Sequence, residues 1–189
     1  MRIKNNPMET ARLITLCREG DESAVEMLVS KYQKPTYRLA LSILEDPSEA
    51  DEAAQDALLA ALGSLDSYRE EASFNTWLHT ITVNICRSRL RKRHSWDRLV
   101  NTIQVIFRAS GETTPPPEEA AIREESDAAL WQAVHKLGEK HRLPVILRYY
   151  HDFSIAEIAQ ILEVNEGTIA SRLSIARDRL HAQLEGRLQ

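Results

Sequence analysis

Five of the seven residues from Arg87 to Arg93 are basic, and we call this run the basic ladder. Arginine and lysine at this density bind polyanions, because each base that neutralises a phosphate releases a condensed counterion. The ordinary alternative is a solvated helix end, where the macrodipole favours cations. One or two cations satisfy a macrodipole, whereas five exceed that need. The basic ladder therefore predicts contact with a nucleic acid.

An acidic stretch precedes the basic ladder. Residues 45–71 hold nine acids and one base, a net charge of −8, whereas residues 87–98 hold six bases and one acid, a net charge of +5. The whole chain carries a formal net charge of −4, so the two signs are sorted along it. Such blocks indicate two different partners for one domain. The acids accompany alanines and leucines, which suits either a solvated face or docking on a basic partner helix.

A pair of helices near the C-terminus is the second candidate for nucleic-acid binding. Ser154 and Glu157 match the S-x-x-E capping box, which marks a helix start, and Asn165 predicts the cap of the next helix. A capped helix, a short turn and an amphipathic helix that bears bases fit a helix-turn-helix. In that motif the first turns of the second helix reach base edges. A plain helical hairpin with solvated arginines is the alternative.

Aromatic residues beside the basic ladder could stack on unpaired bases. Phe74 and Trp77 share an apolar stripe with Leu78, so we expect them in the core. Tyr68 and Arg69 lie in a polar stretch before that helix. We predict that these two residues are the better stacking candidates.

The elements that position these residues are all predicted to be helices. Apolar residues recur at i, i+3, i+4 and i+7, and no segment alternates with period two between turn signals. Asp21 and Ser73 predict N-caps, and Pro35 is expected to kink or divide its helix. Residues 110–119 read SGETTPPPEE, which predicts an extended linker. Residues 99–107 are too apolar for a free linker and are expected to dock on their own domain or a partner.

Other classes of function find no support in the sequence. The six histidines show no zinc-ligand spacing, and six glycines include no phosphate loop, so we expect no metal, no cofactor and no enzyme activity. Cys17 and Cys86 are expected to be reduced and packed as small apolar groups. No stretch of about 18 apolar residues could span a membrane, and the N-terminus lacks a signal-peptide core. We therefore expect a cytoplasmic protein without membrane insertion of its own.

Three stretches, in family order, together resemble a bacterial RNA polymerase sigma factor of the small, two-domain extracytoplasmic-function (ECF) type. They read YRLALSILEDPSEADEAAQDALLAAL, FNTWLHTITVN and SIAEIAQILEVNEGTIASRLSIARDRL. The resemblance implies an all-α protein with a helical bundle similar to sigma region 2 over residues 8–96. A Pro-rich linker would follow over residues 97–120. A helix-turn-helix domain similar to sigma region 4 would occupy residues 121–189.

The resemblance also implies partners and site residues. Core RNA polymerase, promoter DNA and an inhibitory anti-sigma factor are the expected partners. Polymerase docking is expected at Asp51, Glu52, Gln55 and Asp56. Recognition and melting of the minus-ten element are expected at Tyr68, Arg69, Asn84, Arg87, Arg91 and Arg93. Recognition of the minus-35 element is expected at Glu166, Thr168, Ser171, Arg172 and Arg177.

The chain departs from the family pattern in the second helix of the predicted helix-turn-helix and at one position of the basic ladder. Ala170 stands where a lysine is usual, and Ser174 and Ile175 replace a histidine and an arginine, so duplex affinity through this domain is expected to be weak. Ser88 stands where an acid is often found. Two alternatives compete with the sigma factor: a stand-alone helix-turn-helix regulator and a helical protein-binding adaptor. The acidic helix argues against the first alternative, and the basic ladder argues against the second.

Overall fold

A computed structural model describes the backbone of residues 7–108 and 125–185, and side chains within residues 8–93 and 131–183. Every regular element in these ranges is helical, which confirms the predicted all-α class. The described α-helices are α1 (Pro7–Arg18), α2 (Glu22–Leu44), α3 (Pro47–Gly63), α4 (Phe74–Arg108), α5 (Glu125–Lys136), α6 (Glu139–Val145), α7 (Ile155–Leu162) and α8 (Glu166–Glu185).

Side-chain caps begin the helices of the first domain where the sequence predicts them. The Asp21 carboxylate accepts a hydrogen bond from the backbone N–H of Ala24 at 3.1 Å, at the start of α2. The Ser73 hydroxyl accepts from the N–H of Thr76 at 3.1 Å, at the start of α4. Each cap satisfies a backbone donor that has no partner within its helix. Pro35 lies inside α2, which continues past it, so this proline does not divide the helix.

Two apolar clusters hold the described chain together. The first lies between α1, α2, α3 and the start of α4, and Tyr32 and Leu78 are fully buried in it. The second includes Leu39 and Val83 from the first domain together with Ile158 from the second. We call it the shared cluster, because it joins the two domains by packing α7 against α4. In this structure the two domains are thus joined by apolar contact.

The second domain contains the predicted helix-turn-helix. Ser154 and Glu157 form both bonds of the capping box: the Glu157 N–H donates to Ser154 Oγ at 3.2 Å and the Ser154 N–H donates to Glu157 Oε2 at 2.8 Å. Glu163 ends α7 in the left-handed conformation, with φ of 54°. Asn165 then accepts from the N–H of Thr168 at 2.8 Å and caps α8. Both predicted helix starts are confirmed.

Two segments differ from the simplest expectation. Residues 143–150 are helical, but α6 passes into a π-helical turn at Ile146–Tyr150. The expected boundary at residue 96 falls inside α4, whose backbone continues to Arg108. Residues 99–107 therefore continue this helix, and their side chains lie outside the described residues, as does the segment 110–119. None of the described helices has the length and apolar character of a membrane span.

Candidate functional site

The outer face of α3 carries the four residues predicted to dock on polymerase. Asp51, Glu52, Gln55 and Asp56 are all exposed. The opposite face is buried and consists mainly of alanine: Ala50, Ala53, Ala54, Ala57 and Ala61. The Gln55 amide donates to Asp51 Oδ2 at 2.8 Å, and Leu59, which is 68% exposed, follows one turn later. The helix therefore presents acids, Gln55 and one large apolar side chain, Leu59, to solvent.

The loop before α4 places Tyr68, a predicted stacking residue, in the core. Tyr68 is only 8% exposed, so its ring is not open to an unpaired base in this structure. Its ring centroid lies 5.5 Å from that of Phe74 and 5.2 Å from that of Trp77, and its hydroxyl donates to the carbonyl of Ala72 at 2.8 Å. Phe74 is buried and Trp77 packs against the same cluster, as predicted. Arg69 remains exposed.

Arg18 of α1 bonds to the backbone of the segment that carries Tyr68. Its Nη2 donates to the carbonyls of Leu65 at 2.9 Å and Tyr68 at 2.7 Å. Residues Leu65–Ser67 form a 3₁₀ turn between α3 and the loop. This arrangement closes the loop over the first cluster. A bond between residues about fifty positions apart leaves no local signal in the sequence.

Part of the basic ladder is already neutralised within the protein. Arg87 Nε donates to Glu139 Oε1 of the second domain at 2.7 Å. Arg93 lies 3.7 Å from a carboxylate oxygen of Glu49. Arg91 is exposed. The predicted phosphate contacts are thus of two kinds, because Arg87 and Arg93 are held in ion pairs whereas Arg91 is exposed.

Arg89 was not among the predicted site residues, although it belongs to the basic ladder. Its Nη1 donates to Glu52 Oε2 at 2.9 Å and its Nη2 donates to Asp56 Oδ2 at 2.6 Å. These two bonds raise the pKa of Arg89 above its ordinary value. The pairing arises from the packing of α3 on α4, which no short sequence pattern shows. Asn84, predicted for the minus-ten element, lies on the same helix and is exposed.

Polar contacts cross between the two domains around Glu45, at the end of α2. Its Oε1 lies 2.5 Å from His135 Nδ1 and accepts from Arg142 Nη1 at 3.3 Å. Nearby, the rings of His79 and Phe153 meet edge to face with centroids 5.0 Å apart. Glu45 was not singled out in the sequence, since its partners lie in another domain. The second domain therefore covers part of the first domain's surface in this structure.

The start of α8 is open to solvent at three of its five predicted residues. All five residues predicted to contact the minus-35 element are at least partly exposed. Glu166, Ser171 and Arg177 are exposed, and Arg172 and Thr168 are half-buried. The Thr168 hydroxyl donates to the Asn165 side chain at 2.7 Å and so supports the helix cap. Ile169 on the opposite face is fully buried. This orientation leaves the face predicted to read DNA accessible.

Buried titratable groups lie beneath these surfaces. Burial lowers the pKa of His79 to about 4, although the ring contacts the carbonyl of Asn75. Burial raises the pKa of the Cys86 thiol to about 12, and burial followed by the nearby Asp21 raises that of Cys17. Both cysteines are free and packed against apolar residues, as expected.

Two family models match the chain, one in each domain. Residues 28–96 match the model described as Sigma-70 region 2, and residues 127–180 match the model described as Sigma-70, region 4. The first match includes α3 and the basic ladder. The second includes the helix-turn-helix. Together they cover more than half of the chain.

Curated relatives match over nearly the full length. The ECF RNA polymerase sigma factor SigM of Mycobacterium tuberculosis is 33% identical over 178 residues, which cover 94% of this chain and 85% of the relative. The RNA polymerase sigma-H factor of Pseudomonas aeruginosa is 30% identical over 179 residues, which cover 92% of this chain and 93% of the relative.

Solved structures share the fold. The sigma factor RpoE of Bartonella quintana, crystallised with the anti-sigma factor NepR, is 25% identical and superposes with a TM-score of 0.61, covering 85% of this chain and 96% of that chain. CnrH, solved with the cytosolic domain of CnrY, superposes with a TM-score of 0.64 over 92% of this chain and 96% of that chain. The identity to CnrH is 21%, so that likeness concerns the fold alone.

Proposed function

Because this chain belongs to the ECF sigma factors of bacterial RNA polymerase, we propose that three of its helices divide the work of promoter-specific initiation. As a sigma factor it binds core RNA polymerase and directs it to promoter DNA. In this proposal α3 docks on polymerase, α4 and the preceding loop engage the minus-ten element, and α8 reads the minus-35 element. The family assignment sets aside the stand-alone regulator and the adaptor.

The observation that carries the docking role is the exposed acidic face of α3 on a buried alanine face. Asp51, Glu52, Gln55 and Asp56 lie at i, i+1, i+4 and i+5, so they share one side of the helix. Complementary charge raises both the rate and the specificity of association. A basic helical surface of polymerase is the partner that this face fits.

The minus-ten role of α4 is supported by two exposed polar side chains. It also requires an ion-paired arginine and a buried tyrosine to move. Asn84 and Arg91 face solvent and can contact an unstacked base and a phosphate. Arg87 must first leave Glu139 of the second domain. Tyr68 must leave its aromatic cluster before it can stack on DNA. We therefore propose that full engagement of the minus-ten element follows separation of the domains.

The minus-35 role of α8 is supported by its open N-terminal turns. Arg172 is the one base in the first two turns of this helix, and an arginine can bind a guanine edge through two hydrogen bonds. Arg177 lies five residues further on, about one and a half turns, where phosphate contact is expected. With few bases on this helix, recognition by the second domain is expected to be weak and to act together with the first.

Regulation by an anti-sigma factor forms part of the proposal. The Bartonella quintana relative was solved with such a partner, and this chain has the same fold. The chain is proposed to lack catalytic activity of its own and to lend promoter specificity to polymerase. It is proposed to act in the cytoplasm, where transcription takes place.

The docking role is tested by reversing charge on α3. We expect Asp51→Arg with Asp56→Arg to abolish binding to core RNA polymerase in a pull-down with the full-length chain. Exposed charges seldom contribute more than about 1 kcal/mol to stability, so the fold should persist by circular dichroism. Like charges placed together in an interface can cost several kcal/mol.

A matched control reverses two exposed acids outside α3, Glu19→Arg with Glu26→Arg. This variant changes the net charge equally and should retain core binding. Undiminished binding by the folded α3 variant would remove the docking assignment. Equal loss in both variants would show that net charge, and not the α3 face, controls binding.

A further inference from the structure

Arg89 holds two of the carboxylates that we assign to polymerase docking. Its two terminal nitrogens donate separately, to Glu52 at 2.9 Å and to Asp56 at 2.6 Å. Glu52 and Asp56 are four residues apart on α3, so one helical turn separates them on the same face. A planar guanidinium offers several donors in a fixed fork and can serve both carboxylates at once. One cation of α4 therefore engages two acids of α3.

The two sides of this cluster differ in accessibility. The side chains of Glu52 and Asp56 are 64% and 53% exposed, whereas that of Arg89 is 24% exposed. An external cation can therefore approach the carboxylates from solvent, while Arg89 binds them from the protein side. Among the described residues, Arg89 is the ion-pair partner of both Glu52 and Asp56.

We propose that Arg89 is an internal competitor for the docking surface of α3. In the chain without polymerase, Arg89 neutralises part of the charge of Glu52 and Asp56. A basic group of polymerase that binds the same carboxylates then displaces or weakens these two bonds. This inference rests on the proposed docking role of α3, and it adds a residue of α4 that opposes docking.

The size of the effect follows from the exposure of the pair. Partly exposed ion pairs contribute modestly, so two of them correspond to an affinity change of about threefold to tenfold. Removing the guanidinium also leaves two acids close together, which increases their attraction for a basic partner. Both effects act in the same direction, toward tighter binding of polymerase.

The test is a titration of core RNA polymerase with the full-length chain carrying Arg89→Gln. We expect this variant to bind core about threefold to tenfold more tightly than the parent. Lys34→Gln is the matched control, because Lys34 is exposed on α2 and its loss changes the net charge equally. The control should change the affinity by less than about twofold.

A double-mutant cycle separates competition from a general charge effect. We expect Arg89→Gln to give no gain in affinity when it is combined with Glu52→Gln and Asp56→Asn, because the competed carboxylates are then absent. Arg89→Lys keeps the charge without the fork and should fall between the parent and Arg89→Gln.

The outcomes distinguish this inference from the docking proposal. If Glu52→Gln with Asp56→Asn weakens core binding but Arg89→Gln binds no more tightly than Lys34→Gln, the competitor role is overturned and α3 docking stands. If the two acid substitutions leave core binding unchanged, docking through these carboxylates fails and the competitor role fails with it. Tighter binding by Arg89→Gln that persists in the triple variant would also overturn competition.

Discussion

The candidate binding surfaces of the two domains differ in how far their polar groups are already bonded inside the protein. In the first domain Tyr68 is buried and Arg87 is ion-paired across the domain boundary. In the second domain the start of α8 faces solvent, and Ser171 and Arg177 are exposed. The number of charges in a sequence therefore overstates the number available to a partner. Substitutions at Tyr68 and Arg87 should therefore alter stability as well as binding, whereas those at the start of α8 should alter binding alone.

The largest expected effect on stability is at Tyr68. We expect Tyr68→Ala to lower the free energy of unfolding by about 3–5 kcal/mol, as for other large aromatic side chains removed from a core. Tyr68→Phe should lower it by only about 1 kcal/mol, because it removes the bond to Ala72 and keeps the ring packing. Urea denaturation followed by circular dichroism measures both. A Tyr68→Ala variant as stable as the parent would show that this ring is not part of the core. It would also contradict the stated difference between the two domains.

The next effect is a loss of stability at acid pH. The unfolded chain should protonate His79 near pH 6.5 but the folded chain only near pH 4, because burial disfavours the charged ring. His151 has its pKa lowered to about 4 as well, by burial first and then by the charge of His79. Stability from these neutral rings is complete above pH 6.5 and is lost as the pH falls toward 4.

His79→Gln tests this pH dependence. We expect the parent to lose up to about 3 kcal/mol between neutral pH and pH 4 through His79, and the variant to lose correspondingly less. Glutamine does not titrate and can still donate to the carbonyl of Asn75. Thermal unfolding at several pH values gives the two slopes. Parallel slopes would show that His79 is not the group responsible.

An effect on binding without an effect on stability is expected at Arg172. Arg172→Ala should weaken recognition of minus-35 duplex DNA by about 1–3 kcal/mol, the value of a good bidentate contact to a base pair. Its free energy of unfolding should remain within about 0.5 kcal/mol of the parent, as for other surface positions. Footprinting with reconstituted polymerase reports the first quantity. Unchanged footprints would show that Arg172 does not contribute to minus-35 recognition, and other residues of α8 would then have to make the base contacts.

The smallest effect is expected at Arg87, where binding and stability both change. Arg87→Gln should reduce the slope of log affinity against log salt by about 0.9 unit on duplex promoter DNA if Arg87 reaches one phosphate. It should lower stability by less than about 1 kcal/mol, because its pair with Glu139 is about one-third exposed. Filter binding of the polymerase complex at several salt concentrations measures the slope. An unchanged slope would show that Arg87 contacts no phosphate and serves only to pair with Glu139 of the second domain.

Local sequence signals predicted the helices and their starts, and long-range packing decided the rest. The caps at Asp21, Ser73 and Asn165 were predictable because each acts on a backbone N–H three residues away. Tyr68 is buried in a loop whose backbone is bonded by Arg18, and no local spacing shows such a contact. The same holds for Arg89, whose partners lie on a different helix.

The presence of charged side chains on the candidate surfaces was predictable from the sequence, but their pairing with one another was not. The sequence indicated acids on α3 and bases on α4, and the structure has them on those helices. It did not indicate that the two sets bond to each other, as Arg93 and Glu49 do, or that Glu45 contacts Arg142 of the second domain. These pairings require the distance between helices, which depends on packing of the whole chain.

The two cysteines allow local opening of the protein to be measured by thiol alkylation. Cys17 is half-buried against the first cluster, and Cys86 is fully buried in the shared cluster. Because the thiolate is the reactive form, Cys86 should be alkylated only during moments when its helices part. The alkylation rate of Cys86 then reports how often the shared cluster opens, whereas Cys17, which is half-buried, serves as a reference thiol. Polymerase, DNA or an inhibitor could thus be ranked by which thiol each one speeds or slows, without any added label.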